Sequence, residues 1–157
     1  MITVINNFLE YKYCDYMIDY YNSNLETVTE VRKSVYNFDG LDVSKEYENF
    51  EFLHPLFKRK TLEKENTLRI QLIDKTINQV STPHSHVNPY SFIIFLNDDF
   101  IGGELIFGNL TITPKRGQCI YFNGEKHSVN QMEYGNRYTF VGFLHFPIEY
   151  EFKKNLI

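Results

Sequence analysis

The chain has 157 residues, of which 43% are hydrophobic and 23% charged, with a formal net charge of −4 at pH 7 and a pI near 5.7. That length suits one domain, residues 1–157, with a core that needs no disulfide or metal staple. The acidic balance argues against a protein held on nucleic acid by phosphate contacts, and no apolar run approaches the length of a membrane span. MITVINNFLEYK at the N-terminus lacks a signal-peptide core. Cys14 and Cys119 lie in unrelated apolar contexts. They read as buried free thiols in a reducing cytoplasm.

Along the chain, Ile2 to Ile5 reads as a short strand, and Asn6 or Asn7 is placed to cap a helix. From Phe8 to Tyr21 the apolar residues Leu9, Tyr13, Met17 and Tyr21 recur four apart, with Cys14 and Ile18 beside them. This predicts a helix with one buried face. Leu25 to Gly40 is ambiguous between strand and frayed helix and ends in an Asp39-Gly40 turn signal. Val43 to Leu62 predicts a second helical stretch, perturbed near Pro55 and carrying His54 as a packing or surface residue.

From Leu68 onward the pattern changes to strands at short spacing, punctuated by Pro and Gly. Leu68–Ile73 alternates, whereas Ser91–Leu96 is apolar on both faces and predicts a central strand. Glu104–Phe107, Leu110–Thr113, Cys119–Phe122 and Tyr138–Phe146 complete the series. Helices at the front and strands behind predict a mostly β fold, a double-sheet jelly roll or barrel with helices on one face.

Pro83 to Phe143 carries the chemistry. His84 and His86 are two apart, so on an extended strand both imidazoles share one face. His127 follows much later, and Arg137 lies ten positions beyond it across the turn-like Tyr134-Gly135-Asn136. A hairpin there returns Arg137 beside the strand of His127. The residues propose one pocket holding a metal and, next to it, a fixed positive charge. Parity then groups Val129 with His127, groups Thr139, Val141 and Phe143 with Arg137, and groups Ile93 and Phe95 with Ser91.

The order His84-x-ligand, FLNDDFIGGELIF, TPKRG, then His127 and Arg137-Tyr138-Thr139 resembles the iron- and 2-oxoglutarate-dependent dioxygenases of the prolyl 4-hydroxylase type. The resemblance is close over Pro83–Phe143 and loose before it. It implies a double-stranded β-helix with N-terminal helices packed outside, Fe(II) and 2-oxoglutarate as cofactor and cosubstrate, and ascorbate as an optional addition. It also implies Fe(II) held by His84 and His127, with His86 standing in the slot where the family has an aspartate. His86, Asn88 or water is then the third ligand. Imidazole suits Fe, Zn, Cu and Ni alike, so ligand type does not select iron.

By the same resemblance Ser91, Ile93, Leu105, Val129 and Arg137 fall where the family lines its 2-oxoglutarate pocket. Thr139 joins them on the inward face of the arginine's strand. Phe95 stands where such hydroxylases often place a tyrosine. The reaction implied is hydroxylation of a substrate, a prolyl or other peptide residue among the candidates, with release of succinate and CO2.

Against these readings stand plainer ones. His84 and His86 are also compatible with surface histidines at a strand end, and Arg137 with a solvated turn. Asp98 and Asp99 read as loop-shaping residues before Gly102-Gly103, Glu104 as exposed or paired, and His145 as packed or superficial. Two other function classes fit parts of the pattern: a three-histidine cupin-like metal dioxygenase without 2-oxoglutarate, and a non-catalytic barrel acting as a binding module.

Overall fold

A computed structural model of the protein describes residues 2–53, 66–77, 82–85 and 90–145. Short β1 (Thr3–Ile5) is followed by α1 (Tyr11–Asn22), a 3-10 turn at Leu25–Thr27, β2 (Thr29–Arg32) and β3 (Asn37–Asp42). A 3-10 segment, Tyr47–Leu53, precedes β4 (Thr67–Ile73) and β5 (Tyr90–Phe95). The remainder is β6 (Ile101–Gly102), β7 (Leu105–Phe107), β8 (Leu110–Ile112), β9 (Cys119–Phe122), β10 (Ser128–Val129), β11 (Met132–Tyr134) and β12 (Arg137–Leu144).

Seven strands form one antiparallel sheet in the order β1-β9-β5-β12-β4-β3-β2. Opposite it lie a three-stranded sheet, β10-β7-β8, and the pair β11-β6. The large sheet buries both of its faces, which is why Ser91–Phe95 lacks a polar alternation. On its outer face Phe92, Ile94, Cys119 and Phe140 meet Cys14, Met17 and Tyr21 of α1 in one apolar cluster. On its inner face Phe95, Ile120 and Phe122 meet Leu105, Phe107 and Ile112 of the small sheet. This is the jelly roll with its helix outside that the sequence predicts.

Register is pinned at the centre. Gly142 of β12 pairs with Phe92 of β5, and a Cβ at Gly142 would come within 2.0 Å of the Phe92 ring. The missing side chain is the seat of that ring, so neither strand can slip without losing it.

Local signals mislead in three places. Asp39-Gly40 is no turn but lies inside β3, with Gly40 paired to Gln71 of β4. Neither Asn6 nor Asn7 caps the helix: Asn7 is left-handed (φ 55°), the amides of Phe8 and Leu9 donate to the Gly117 carbonyl, and α1 begins after Glu10 without a side-chain cap. The second helical stretch is 3-10 over Tyr47–Leu53, residues 43–46 before it form a turn and no helix, and residues 54–62, His54 included, lie outside the described residues.

Candidate metal and cosubstrate site

The inner face of the large sheet opens into a cavity beside the small sheet. Ser91 and Ile93 of β5, Val129 of β10, and Arg137, Thr139, Val141 and Phe143 of β12 line it together with His84 and His127. The alternation expected for β12 therefore holds over its whole inward face. Leu105 does not reach the wall: it is fully buried behind it, against Phe95 and Ile120. Two left-handed glycines, Gly102 and Gly103, stand before its three-residue strand with Glu104 between, and parity cannot be counted through them.

His84 and His127 are brought together by their own backbones. Each amide donates to the other's carbonyl, at 3.0 and 2.9 Å, in an isolated antiparallel bridge, and the ring centroids stand 4.6 Å apart. Nδ1 of His84 lies 2.8 Å from the Thr82 carbonyl, and Nδ1 of His127 lies 3.1 Å from that of Glu125. A carbonyl can only accept, so both rings carry their proton on Nδ1, and Nε2 is the nitrogen able to donate a lone pair. Backbone carbonyls behind Nδ1 are the usual orienting partners of metal-binding histidines. Burial, with the neighbouring His84, pushes His127 down to about 4, so its ring is neutral at pH 7 and suited to a cation. Among the described residues no third His, Cys, Asp or Glu completes a ligand group. His86 and Asn88, the expected candidates, lie outside them.

Arg137 supplies the fixed charge. It is 2% exposed, and its Nε donates to the Gly103 carbonyl at 2.9 Å while the guanidinium sits 5.2 Å from the Phe95 ring. Burial pushes its pKa down to about 10, opposed by Glu104, so it stays cationic at neutral pH. It makes no ion pair within the described residues. Among the described residues Nη2 has no hydrogen-bond partner, and neither does Oγ1 of Thr139, two positions along the same face. A buried cation and a buried hydroxyl, both unsatisfied and lining one cavity, call for an anionic acceptor. A carboxylate fits both. The residues present thus suit a dicarboxylate at the arginine end and a cation at the histidine end.

Gly103 is required for this. Its φ is +71°, and a Cβ there would stand 2.8 Å from Cδ of Arg137 and 2.7 Å from Sδ of Met132. The plainer residues fall as the sequence reads them. Asp98 accepts from the Arg116 amide, Asp99 from the Asn97 side chain and Glu104 from the Asn130 side chain, while His145 is exposed. Sequence reasoning missed Tyr36, Phe38, Arg69 and Gln71, which form the far wall from β3, β4 and the turn before β3.

Residues 73–145, just under half of the chain, match the family model of the 2OG-Fe(II) oxygenase superfamily. No curated protein matches the sequence. Among solved structures the fold is similar to a viral collagen prolyl hydroxylase from Paramecium Bursaria Chlorella virus-1 in complex with 2OG. That match has a TM-score of 0.59 at 15% identity, over 90% of this chain and 94% of that one. A prolyl-4-hydroxylase of Pseudomonas putida gives 0.60 at 11% identity, over 96% and 92%. The non-heme alpha ketoglutarate dependent epimerase SnoN of nogalamycin biosynthesis gives 0.65 at 9% identity, over 90% and 76%. Identities this low carry the fold alone. The superfamily likeness rests on the matched segment, which contains His84, His127 and Arg137. Residues 73–145 resemble the 2-oxoglutarate-dependent dioxygenases of the 2OG-Fe(II) oxygenase superfamily, and they lie within a jelly roll like that of the prolyl hydroxylases.

Proposed function

We propose that the whole chain acts as one 2-oxoglutarate-dependent hydroxylase, in which His84 and His127 hold Fe(II) and Arg137 holds the distal carboxylate of 2-oxoglutarate. The observation that carries this reading is the buried Arg137 guanidinium with Nη2 unpartnered beside the unpartnered Thr139 hydroxyl. Iron, when bound, supplies activation of O2 and the oxidative decarboxylation of 2-oxoglutarate to succinate and CO2.

The protein's part is positional. Arg137 and Thr139 anchor the far end of the cosubstrate. Ser91, Ile93 and Val129 flank its methylene chain, and Leu105 supports that wall from behind. Phe95 keeps water from the guanidinium, which strengthens the charge pair. With Nδ1 tied to a carbonyl on each histidine, Nε2 is fixed in aim before metal arrives. His86 is the third ligand in this reading, in place of the family's aspartate. A prolyl or other residue of a peptide is one candidate substrate, and a cytoplasmic setting accords with two buried free thiols.

A three-histidine oxygenase that does without 2-oxoglutarate would leave Arg137 buried with no anion to pair. The test is an anaerobic titration of the purified protein with Fe(II) and 2-oxoglutarate, followed by the visible charge-transfer band of the chelate. Saturable growth of that band, lost on omitting either component, is the expected result. Metal uptake without any response to 2-oxoglutarate would overturn the proposal.

A further inference from the structure

On the proposed-function reading, one cation in the cavity is left without work. Arg69 lines the same cavity from β4, on the face shared by Gln71 and Ile73. Its guanidinium carbon lies 4.6 Å from the Phe38 ring and 4.9 Å from the Phe143 ring, which come from the strands on either side of it. Nε donates to Oε1 of Gln71 at 3.2 Å. Neither Nη makes a hydrogen bond or ion pair within the described residues.

The nearest carboxylate in register is Asp42, directly across from Arg69 on β3. That carboxylate is committed elsewhere, accepting from the Ser44 amide at 2.9 Å. Gly40 makes the arrangement possible: a Cβ there would stand 2.8 Å from the Phe38 ring and 3.5 Å from Cδ of Arg69. The ring therefore lies along β3 and onto the guanidinium only because β3 has no side chain at that position. Rings on the flanks steer new contacts to the N–H edge, and Gln71 occupies the Nε part of it. What remains is the Nη edge, whose donor geometry matches an oxyanion held side by side. A single cation beside a carboxylate such as Asp42 favours a monoanion over a phosphate dianion.

We propose that Arg69, set between Phe38 and Phe143, is the substrate-recognition residue of this cavity and binds a carboxylate on the substrate to be oxidised. The substrate class is then a free carboxylic acid, or a peptide presenting its C-terminal or side-chain carboxylate, with an apolar body against Phe143 and Val141.

The test uses 15N-labelled protein, once metal-free and once loaded with Zn(II) and 2-oxoglutarate. The probes are N-acetylated amino acids, each offered as the free acid and as the primary amide, and inorganic phosphate. The readout is the side-chain Nε–Hε signal of Arg69, assigned by its loss in Arg69→Lys, with the corresponding Arg137 signal as internal reference. Saturable shifts of the Arg69 signal by an acid, at least roughly tenfold weaker with its amide, are expected. Arg69→Met should abolish the accompanying shifts of the Gln71 and Val141 amides; Arg69→Gln serves if the methionine variant does not fold. The proposal is overturned if no acid shifts Arg69, if acids and amides act alike, if phosphate binds more tightly than every acid, or if the variant's cavity responds as the wild type's does. Failure of 2-oxoglutarate to move the Arg137 signal refutes the proposed function separately, and the metal-free titration still decides the carboxylate site.

Discussion

Replacing Arg137 by methionine separates a binding residue from a structural one. The guanidinium is buried, and desolvation pushes its pKa well below the ordinary arginine value, to about 10. That difference corresponds to about 3 kcal/mol against the charged form. Because the folded value is the lower of the two, the cost is present at every pH below about 10 and vanishes only above the unfolded value. Methionine removes this cost at similar volume. It also removes the bond to the Gly103 carbonyl, a charged hydrogen bond worth roughly 1.5–3 kcal/mol, and the contact with Phe95 at roughly 0.5–1 kcal/mol. These nearly cancel, so the metal-free variant should melt within a few degrees of the wild type. Cosubstrate binding should not survive, since unpairing a buried carboxylate costs roughly 2–5 kcal/mol.

The assay is thermal unfolding of protein loaded with Mn(II), with and without 2-oxoglutarate. At a hundredfold excess over Kd, ligand stabilises the wild type by about 2.7 kcal/mol. For a chain of this size that is a rise in Tm of roughly 5–11 °C. Arg137→Met should show almost none. A variant that keeps the ligand-induced rise would remove Arg137 from the site. One that melts far below the wild type without ligand would make the guanidinium a structural pillar instead.

Three further outcomes are expected. His127→Ala should lower bound iron at least roughly tenfold, measured by equilibrium dialysis, because the proposed site loses one of its two described imidazoles. Gly103→Ala should destabilise the fold by roughly 1–3 kcal/mol in urea unfolding and weaken 2-oxoglutarate binding as well, since the added methyl collides with Arg137 and demands a left-handed backbone. His86→Asp should retain iron and form succinate faster than the wild type under air, because a carboxylate restores the negative charge that favours oxidation of the metal. Equal or slower succinate formation by that variant would mean the natural histidine is the better ligand here.

The sequence is most informative where strands are long and regular. β12 runs eight residues without a bulge, so parity alone places Arg137, Thr139, Val141 and Phe143 on one face, and the structure agrees. It misleads where a local signal has a distant cause. Asp39-Gly40 has the dipeptide chemistry of a turn, yet its glycine serves Phe38 and Arg69, and the partner strand begins 27 positions after Gly40, at Thr67. The far wall of the cavity was illegible for the same reason. Nothing near Arg69 in the chain announces that Phe38 and Phe143 will flank it, because β3 and β12 reach it only through sheet pairing. Leu105, expected in the cavity wall from the family resemblance, lies behind that wall in the core between the sheets.

The bridge between His84 and His127 has a consequence for the order in which the molecule assembles. Closing the intervening loop of 43 positions costs roughly 3 kcal/mol of chain entropy, and two backbone hydrogen bonds return about 1 kcal/mol each. The bridge cannot form by itself. It waits for β5, β9 and β12 on one side and β7 and β10 on the other to dock. Its two amides should therefore be among the last protected as the chain folds and among the first to exchange with solvent when iron is stripped. On the proposed reading, a metal clipped across that contact would act as a late fastener, and loading the ion should slow the opening of one end of the barrel.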